Sequence, residues 1–369
     1  MKANKFYDGS FILSKLEGHS FFFSVGNRGA GKSFFYKMFL IKQHNKAKEQ
    51  GRWDHKFAVM FREVNTIALC ADGFFDDVMR IKFPEHTLKF KYHRAEGYGE
   101  YFWDDEEDSC GFALNLKHFQ KYKLMTARLQ PISWILQDEF LSENNQYLSN
   151  EIDAVMSIFQ TINRGGGDGN ATRDLKWFFV ANTVSIHNPY FNSDLFSDIK
   201  KCMKQNTKKI VRDSYVFELI YKELVREELM STSFGQLIAN TEYGTYALEN
   251  EWYNDNYRFV EQISGQKDYV ITLLIAGQKF ALYECREKGL VYISKKVDNT
   301  HTVVCLDNDD HDVNYIMIQK NEVFLKNVIR LYKLGAVRFE DLDCKMAFLT
   351  ITQIIKATDS PWQTLIYNI

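Results

Sequence analysis

The segment VGNRGAGKSF, residues 25–34, constrains the fold of this chain more than any other feature of its sequence. It carries the pattern G-x-x-x-x-G-K-[ST] at Gly26, Gly31, Lys32 and Ser33, between an apolar run and a helix-like run. The glycines let backbone N–H groups surround phosphate oxygens, at the positive end of the following helix. Lys32 is expected to reach the β- and γ-phosphates, and the Ser33 hydroxyl to bind Mg²⁺. The segment therefore predicts a nucleotide site.

A second acidic element follows a strand-like run further along the chain. The segment ISWILQDEFL, residues 132–141, places Asp138 and Glu139 at the end of an apolar run, although Gln137 stands where an apolar residue is usual. Asp138 is expected to hold Mg²⁺, largely through its water shell, because this ion keeps several waters in proteins. Glu139 is placed to polarise the attacking water, a role that a kinase does not need. The pair favours hydrolysis coupled to work, and an exposed acidic strand end is the alternative.

A polar residue ends another strand-like run. Asn182 follows LKWFFVA, which we expect beside the Asp138 strand, so its amide is a candidate for sensing the γ-phosphate or holding the attacking water. A turn-initiating asparagine is the alternative. The residues expected to contact the nucleotide are Gly26, Asn27, Arg28, Gly29, Ala30, Gly31, Lys32, Ser33, Phe34 and Asn182.

Arginine residues near these segments are candidates for stabilising phosphate charge. Arg164 ends a predicted helix just before the glycine-rich GGGDGN, residues 165–170. It either complements the negative end of that helix or reaches a neighbouring subunit's nucleotide as an arginine finger. Arg28 is a candidate phosphate ligand, and Arg62 is an ion-pair candidate at a strand end. The expected catalytic residues are Lys32, Glu139 and Arg164, and the expected metal ligands are Ser33 and Asp138.

Strand-like and helix-like runs alternate from residue 20 to about 226, which predicts a mainly parallel α/β sheet. The predicted strands are 21–26, 57–61, 132–136 and 175–182, and the predicted helices are 32–49 and 151–163. From about 257 the runs are short and separated by turn signals, beginning with YRFVEQI, and predict an antiparallel sheet followed by helices at 313–334 and 340–357. We therefore expect an ATPase domain at 1–226, a linker domain at 227–256 and a C-terminal domain at 257–369.

Composition narrows the functional class. The 369 residues carry 45% hydrophobic and 25% charged residues, as ordinary globular proteins do, and 30 are Phe and 20 Tyr. The six cysteines form no CxxC pair, which argues against a zinc site or a disulfide framework. No apolar run approaches the ~20 residues of a membrane span, and the N-terminus lacks a signal-peptide core. These features predict a soluble protein of the cytoplasm.

Two basic patches are candidates for nucleic-acid contact, since a net charge of −2 leaves only local patches for that role. Solvated surface is the alternative for both patches. If these patches contact nucleic acid, they bind its phosphate backbone and do not recognise the bases. The candidate DNA-binding residues are Lys117, Lys121, Lys123 and Arg128 in the first patch, and Lys200 and Lys201 in the second.

A series of segments resembles, in the same order, the DNA-packaging ATPases of phi29-type bacteriophages. The resemblance covers essentially the whole chain and rests on GNRGAGKS, WILQDEF, QTINR, VANTVSIHNPYF and FGQLIANTEYGTYALEN. NPYF and FGQLI–TEYG are the more family-specific segments, because no general rule of nucleotide binding demands them.

The resemblance implies more than the residues alone. It implies an additional-strand P-loop ATPase domain, a small linker domain and a C-terminal RNase H-like α+β domain without nuclease function. It also implies a homo-oligomeric ring, typically a pentamer, that uses ATP and Mg²⁺ to move double-stranded DNA through the portal protein of a procapsid in the host cytoplasm. A packaging RNA is a further candidate partner, no membrane is involved, and Arg164 takes the trans-acting role. The glycine-rich loop after Arg164 is longer than expected for the family.

Two other functions stay open at this point. A terminase that also cuts DNA needs carboxylates converging on two metals. Of these, YRFVEQI offers only Glu261, while Asp307, Asp309, Asp310 and Asp312 crowd into one loop. A nucleotide-gated assembly protein that does no work on DNA is the other alternative, and Glu139 weighs against it.

Overall fold

A computed structural model shows how the predicted strands and helices assemble. It describes residues 5–143, 146–148, 150–164, 172–205, 207–241, 244, 247–248, 252, 257, 259–275, 277–306, 312–317 and 323–356. The chain divides into two units. One comprises Met1–Leu141, Glu151–Ile186 and Tyr190–Tyr253, and the other comprises Ser142–Asn150, His187–Pro189 and Asn254–Ile369. The three-part division with a linker at 227–256 stays a prediction.

Nine strands form one sheet among the described residues of the first unit. They are β1 Phe21–Gly26, β2 Lys56–Phe61, β3 Leu88–His93, β4 Tyr98–Trp103, β5 Gly111–Asn115, β6 Ile132–Asp138, β7 Lys176–Ala181, β8 Lys209–Val211 and β9 Tyr215–Ile220. Their order is β3-β4-β5-β2-β6-β7-β1-β9-β8, and the six central strands are mutually parallel. The antiparallel pairs lie at the two edges, where β3 pairs with β4, β4 with β5, and β8 with β9. The central strands read as continuous apolar runs because both faces are buried.

The position of β7 decides the type of ATPase sheet. β7 pairs with β1 on one side and β6 on the other, so one strand separates the strand that enters the glycine loop from the strand that ends at Asp138. This is the additional-strand arrangement, and it confirms the predicted α/β fold class. The four predicted strands are all present, whereas sequence periodicity missed the parallel strands β5 and β9 as well as β3, β4 and β8.

Helices cover the faces of this sheet. In the described residues up to 241 they are α1 Ser10–Leu13, α2 Lys32–Glu49, α3 Val64–Cys70, α4 Asp76–Lys82, α5 Phe119–Tyr122, α6 Thr126–Leu129, α7 Glu151–Ile162, α8 Pro189–Asn192, α9 Ser197–Lys204, α10 Glu223–Ser231 and α11 Ser233–Ile238. A 3₁₀ turn, Leu116–His118, precedes α5. Two of these helices, α2 and α7, match their predicted bounds to within one residue.

Aromatic residues fill the core between α7 and the sheet. Phe23 and Phe179 stack with ring centroids 4.6 Å apart on neighbouring strands. Phe159, near the C-terminal end of α7, lies 4.6 Å from the ring of Phe21 at the start of β1. Helix α7 therefore runs antiparallel to the strands, and its C-terminal end lies at the N-terminal ends of the strands, opposite the glycine loop.

The second unit contains a mixed sheet. Its described strands are β10 Asp268–Ile275, β11 Gln278–Cys285, β12 Leu290–Ser294, β13 Val303–Cys305, β14 Tyr315–Met317 and β15 Val337–Phe339, in the order β14-β13-β10-β11-β12-β15. Strands β10, β11 and β12 are antiparallel, and β13 runs parallel to β10. The two described helices of this unit are α12 Val323–Lys333 and α13 Leu342–Lys356, with a 3₁₀ turn at Arg286–Lys288. The unit has the α+β character that the sequence predicts for a C-terminal domain.

Three details of the sequence prediction for this region are wrong. The sheet is mixed, because β13, β14 and β15 each pair in parallel. The segment YRFVEQI is not its first strand: Phe259 has φ +67°, which breaks an extended run, and among the described residues of the segment Val260 alone forms a bridge, to Phe339. The helix predicted at 313–334 gives way to strand β14 and begins at Val323, since pairing with β13 overrides the helical pattern.

Candidate nucleotide-binding site

The glycine loop between β1 and α2 has the backbone geometry of a phosphate-binding loop. Gly29 and Gly31 have φ +76° and +86°, a region that favours glycine. At Gly26 the constraint is space, since a Cβ there would lie 2.3 Å from the carbonyl oxygen of Ile220. The loop therefore needs glycine at Gly26 and Gly31, two positions of the sequence pattern.

Lys32, the first residue of α2, folds back onto the loop. Its Nζ donates to the carbonyl oxygens of Gly26 at 2.9 Å and Asn27 at 2.8 Å, and to Asn182 Oδ1 at 3.4 Å. The residue is 5% exposed, and burial lowers the pKa of its ammonium to about 7, an effect that the carboxylate of Asp138 partly opposes. Phosphate oxygens in the loop would replace these carbonyl partners and favour the charged lysine.

Ser33 and Asp138 lie together although 105 residues separate them in sequence. Ser33 Oγ donates to Asp138 Oδ1 at 3.0 Å. Burial raises the pKa of Asp138, opposed by the Ser33 hydroxyl and by the positive charges of Lys37 and Lys32. A hydroxyl oxygen beside a half-buried carboxylate is a donor set that suits Mg²⁺ with several of its waters, and a cation there would relieve the cost of removing the carboxylate from water. The two predicted metal ligands thus fit that ion.

Glu139 turns sharply away from the strand that carries it. Its φ is +56°, rare for a residue other than glycine, and its backbone N–H donates to Asp138 Oδ1 at 3.1 Å. Its side chain is exposed next to the predicted metal ligands, as activation of a water requires. Backbone strain of this kind is concentrated at functional sites.

Asn182 follows β7 directly and reaches Lys32, as described above. Because β7 lies between β1 and β6, its end brings the amide between the glycine loop and the acidic pair. The geometry suits the predicted roles of sensing the γ-phosphate or holding the attacking water.

The rest of the loop is anchored by residues that sequence reasoning missed. The N–H of Tyr7 donates to the carbonyl of Ala30 at 2.8 Å, and the N–H of Lys222 donates to Asn27 Oδ1 at 3.3 Å. Tyr7 and Lys222 both contribute main-chain N–H groups, so no pattern of side chains could reveal them. Of the other predicted nucleotide contacts, Arg28 is exposed and Phe34 is half-buried.

Arg164 lies away from the glycine loop of its own chain. It follows α7 and bridges to Thr172, just before β7, and it is exposed. The 12 residues of α7 span about 18 Å at 1.5 Å per residue. The helix runs from the C-terminal ends of the parallel strands, where Asp138 lies, to their N-terminal ends. This placement is incompatible with action on the chain's own nucleotide. The predicted loop 165–170 lies outside the described residues.

Arg62 takes the ion-pair role that its position suggests, but in a buried setting. It forms a two-pronged pair with Glu151 at the start of α7, at 2.8 and 3.0 Å. Tyr190 and Gln137 join this pair. The sequence alone does not single out Glu151 or Tyr190, although NPYF is a family-specific segment and Gln137 stands where an apolar residue is usual.

The six candidate DNA-binding residues differ in how much they are engaged within the chain. Lys117, Lys121 and Lys123 are exposed around α5, with Lys117 3.4 Å from Glu63. Arg128 is paired with Glu100 at 2.8 Å. Lys200 donates to Asn192 at 2.7 Å, and Lys201 pairs with Asp198 at 3.3 Å. The α5 lysines are therefore the stronger candidates.

The described residues show no further metal site. No group of three or more His, Cys, Asp or Glu side chains among them is arranged to hold an ion. Glu261 pairs with Arg338 at 2.7 Å, and Asp307, Asp309 and Asp310 lie outside the described residues. Among the described helices, none has the length and apolar character of a membrane span.

Comparison with known proteins identifies the family. The model of the podovirus DNA encapsidation protein (Gp16) family matches residues 1–354. The chain belongs to that family. It is 29% identical over 325 residues to the DNA packaging protein of Bacillus phage phi29, across 86% of this chain and 89% of the relative. It is 28% identical to that of Bacillus phage B103, across 86% and 92%.

Solved structures agree with this assignment. A chain of the bacteriophage phi29 viral genome packaging motor assembly has a TM-score of 0.56 and 25% identity, covering 95% of this chain and 100% of that one. A chain of the phi28 gp11 DNA packaging motor shares the fold, with a TM-score of 0.54 at 16% identity and coverage of 97% and 100%. The family member described here thus has a DNA-packaging motor role.

Proposed function

We propose that this family member hydrolyses ATP and that hydrolysis drives double-stranded viral DNA into a procapsid. The observation that carries the proposal is the strand order, which brings Lys32, Ser33, Asp138 and Asn182 together with Glu139 beside them. A protein that binds a nucleotide without hydrolysing it would need the loop and the metal ligands but not an exposed glutamate next to them.

The chain's own residues divide the chemistry among them. The N–H groups of the glycine loop and Lys32 bind and orient the β- and γ-phosphates. Ser33 and Asp138 would hold Mg²⁺, which supplies charge neutralisation at the phosphates when bound. Glu139 orients the attacking water and accepts its proton as a general base. Asn182, within reach of Lys32, senses the presence of the γ-phosphate.

The arginine finger comes from a neighbouring copy in this proposal. Arg164 lies at the N-terminal ends of the parallel strands, opposite its own glycine loop. In a closed ring, the Arg164 of one copy can complete the nucleotide site of the next copy. We propose a ring of five subunits on the portal protein of the procapsid, in the host cytoplasm, with a packaging RNA as a candidate further partner. The exposed lysines of α5 are the proposed contacts with the DNA backbone.

The experiment that tests the function measures ATP turnover and DNA uptake by purified procapsids. Lys32→Ala should abolish both, because the loop loses the cation that binds the phosphates. Lys42→Ala, which changes an exposed lysine on the same helix, should retain both. Near-normal turnover by Lys32→Ala would contradict the assignment of the site.

The same assay separates the alternatives. Turnover that neither DNA nor procapsids stimulate, with no DNA uptake, would favour a nucleotide-gated assembly protein. Nicking of plasmid DNA with Mn²⁺ that disappears in Glu261→Ala would favour a motor that also cuts DNA.

A further inference from the structure

A buried polar cluster lies behind the acidic pair. Glu151, the first residue of α7, is 1% exposed and uses both carboxylate oxygens. Oε2 accepts from Arg62 Nε at 2.8 Å, while Oε1 accepts from Arg62 Nη2 at 3.0 Å and from the Tyr190 hydroxyl at 2.8 Å. We call Arg62, Gln137, Glu151 and Tyr190 the Glu151 cluster.

The Glu151 cluster holds the main chain on both sides of the acidic pair. Arg62 Nη2 also donates to the carbonyl of Phe140, one residue after Glu139, at 2.7 Å. Gln137 Nε2, one residue before Asp138, donates to the Tyr190 hydroxyl at 2.8 Å. The two residues that carry the chemistry are thus flanked by two residues tied to one carboxylate.

Stability alone gives a poor account of this cluster. Replacing a buried ion pair by apolar side chains of similar volume is often neutral or stabilising. A directional set of hydrogen bonds does something that an apolar core does not, because it fixes the positions of particular backbone atoms. Here those atoms flank a residue in the strained conformation of φ +56°, which persists only where its surroundings enforce it.

We propose that Glu151 is a positioning residue for Glu139. Acting through Arg62 on the Phe140 carbonyl and through Tyr190 on Gln137, it holds the turn that aims the Glu139 carboxylate at the attacking water. This inference rests on the proposed ATP hydrolysis. It also accounts for Gln137 in a position where an apolar residue is usual, and for the tyrosine of the NPYF segment.

Tyr190→Phe is the mildest test, because it removes one hydroxyl and leaves the ring in place. It should lower kcat for ATP by about three- to tenfold with KM changed less than about twofold, since a small misplacement of a catalytic group costs rate and not binding. Tyr101→Phe is the matched control. Tyr101 lies on β4, three strands from β6, and its buried hydroxyl donates to the Ala71 carbonyl at 2.8 Å. Its kcat should equal that of the wild type.

A double variant separates positioning from folding. Glu151→Leu with Arg62→Met replaces the ion pair by an apolar pair, so the thermal stability of this variant should match that of the wild type. Positioning requires kcat to stay at least about tenfold low in this stable variant, with ATP affinity unchanged. Recovery of kcat together with stability, or Tyr190→Phe turning over as fast as Tyr101→Phe, would overturn the inference. Absence of turnover in the wild type would instead count against the proposed function.

Discussion

At the scale of single residues, the chemistry of the site follows from the sequence but its geometry does not. Lys32, Ser33 and Asp138 were predicted because phosphate and Mg²⁺ demand those residue types at those spacings. The left-handed turn at Glu139 was not, since no local rule favours a glutamate there. The same holds for Glu151, whose role depends on partners 89 and 39 residues away.

A buried histidine on α2 gives a residue-scale prediction about pH. His44 is 1% exposed, and its Nδ1–H donates to the His55 carbonyl at 2.8 Å; burial lowers its pKa to about 4. The unfolded chain, with a histidine pKa of about 6.5, binds more protons between these values. The stabilisation is therefore complete above pH 6.5 and is lost as the pH falls toward 4, by about 2 kcal/mol between pH 7 and pH 5.

Denaturant unfolding at pH 7 and pH 5 measures this contribution. His44→Gln should show a drop in the free energy of unfolding smaller than that of the wild type by about 2 kcal/mol. Equal drops in the two proteins would mean that His44 does not titrate in this way.

At the scale of elements, four of the six parallel strands, β1, β2, β6 and β7, are predictable because their apolar runs are continuous, whereas β5 and β9 escape the prediction. The edge strands β3 and β8 escape it too, because they alternate or are short and their pairing depends on neighbours far along the chain. Helix α7 is held at both ends in a way that no periodicity could show. Beyond the Glu151 cluster at its start, Arg173 donates to the carbonyls of Ile162, at its end, and Ile132, at the start of β6.

The clamped helix leads to Arg164 and gives an element-scale prediction about shared sites. Glu139→Gln should bind ATP and hydrolyse it about 10²–10⁴-fold more slowly, the contribution of a positioned base. Arg164→Ala should also bind ATP and hydrolyse it poorly. Rings that contain both variants include interfaces with an intact Glu139 facing an intact Arg164, so mixing should recover part of the activity.

Turnover in mixed rings, with assembly confirmed by sedimentation, is the measurement. Mixing Glu139→Gln with Lys32→Ala subunits, which pairs two defects of the same site, supplies a control for the effect of mixing itself. Assembled mixed rings of Glu139→Gln and Arg164→Ala that stay as inactive as either variant would return Arg164 to the role of a helix-end cation.

At the scale of the whole molecule, DNA contact cannot come from overall charge, since the chain carries a net charge of −2. The proposed DNA contact has to come from exposed local cations, and the α5 lysines are such a group. The sequence contains these lysines but does not show that Arg128 is paired with Glu100, because that acid lies on β4, 28 residues earlier in the chain.

DNA binding should therefore be insensitive to base sequence and weaken steeply with salt. The double variant Lys121→Ala with Lys123→Ala should reduce the slope of log K against log salt by about two, because two fewer counterions are released. Lys82→Ala, an exposed lysine on α4, should leave the slope unchanged. Titrations of random-sequence duplex DNA at several salt concentrations provide the slopes, and tight binding at high salt to one preferred sequence would be the opposite outcome.

The two outer strands of the large sheet have a consequence for how copies join. On β3, Lys89 and Lys91 are exposed, and β8 begins with Lys209. Charged side chains on outer strands disfavour the joining of sheets by shared main-chain hydrogen bonds. Subunits of the proposed ring would then meet through side-chain surfaces alone, which separate and re-form without breaking a β-ladder. Each joint between neighbours could loosen and tighten once per nucleotide consumed while every subunit kept its own fold intact.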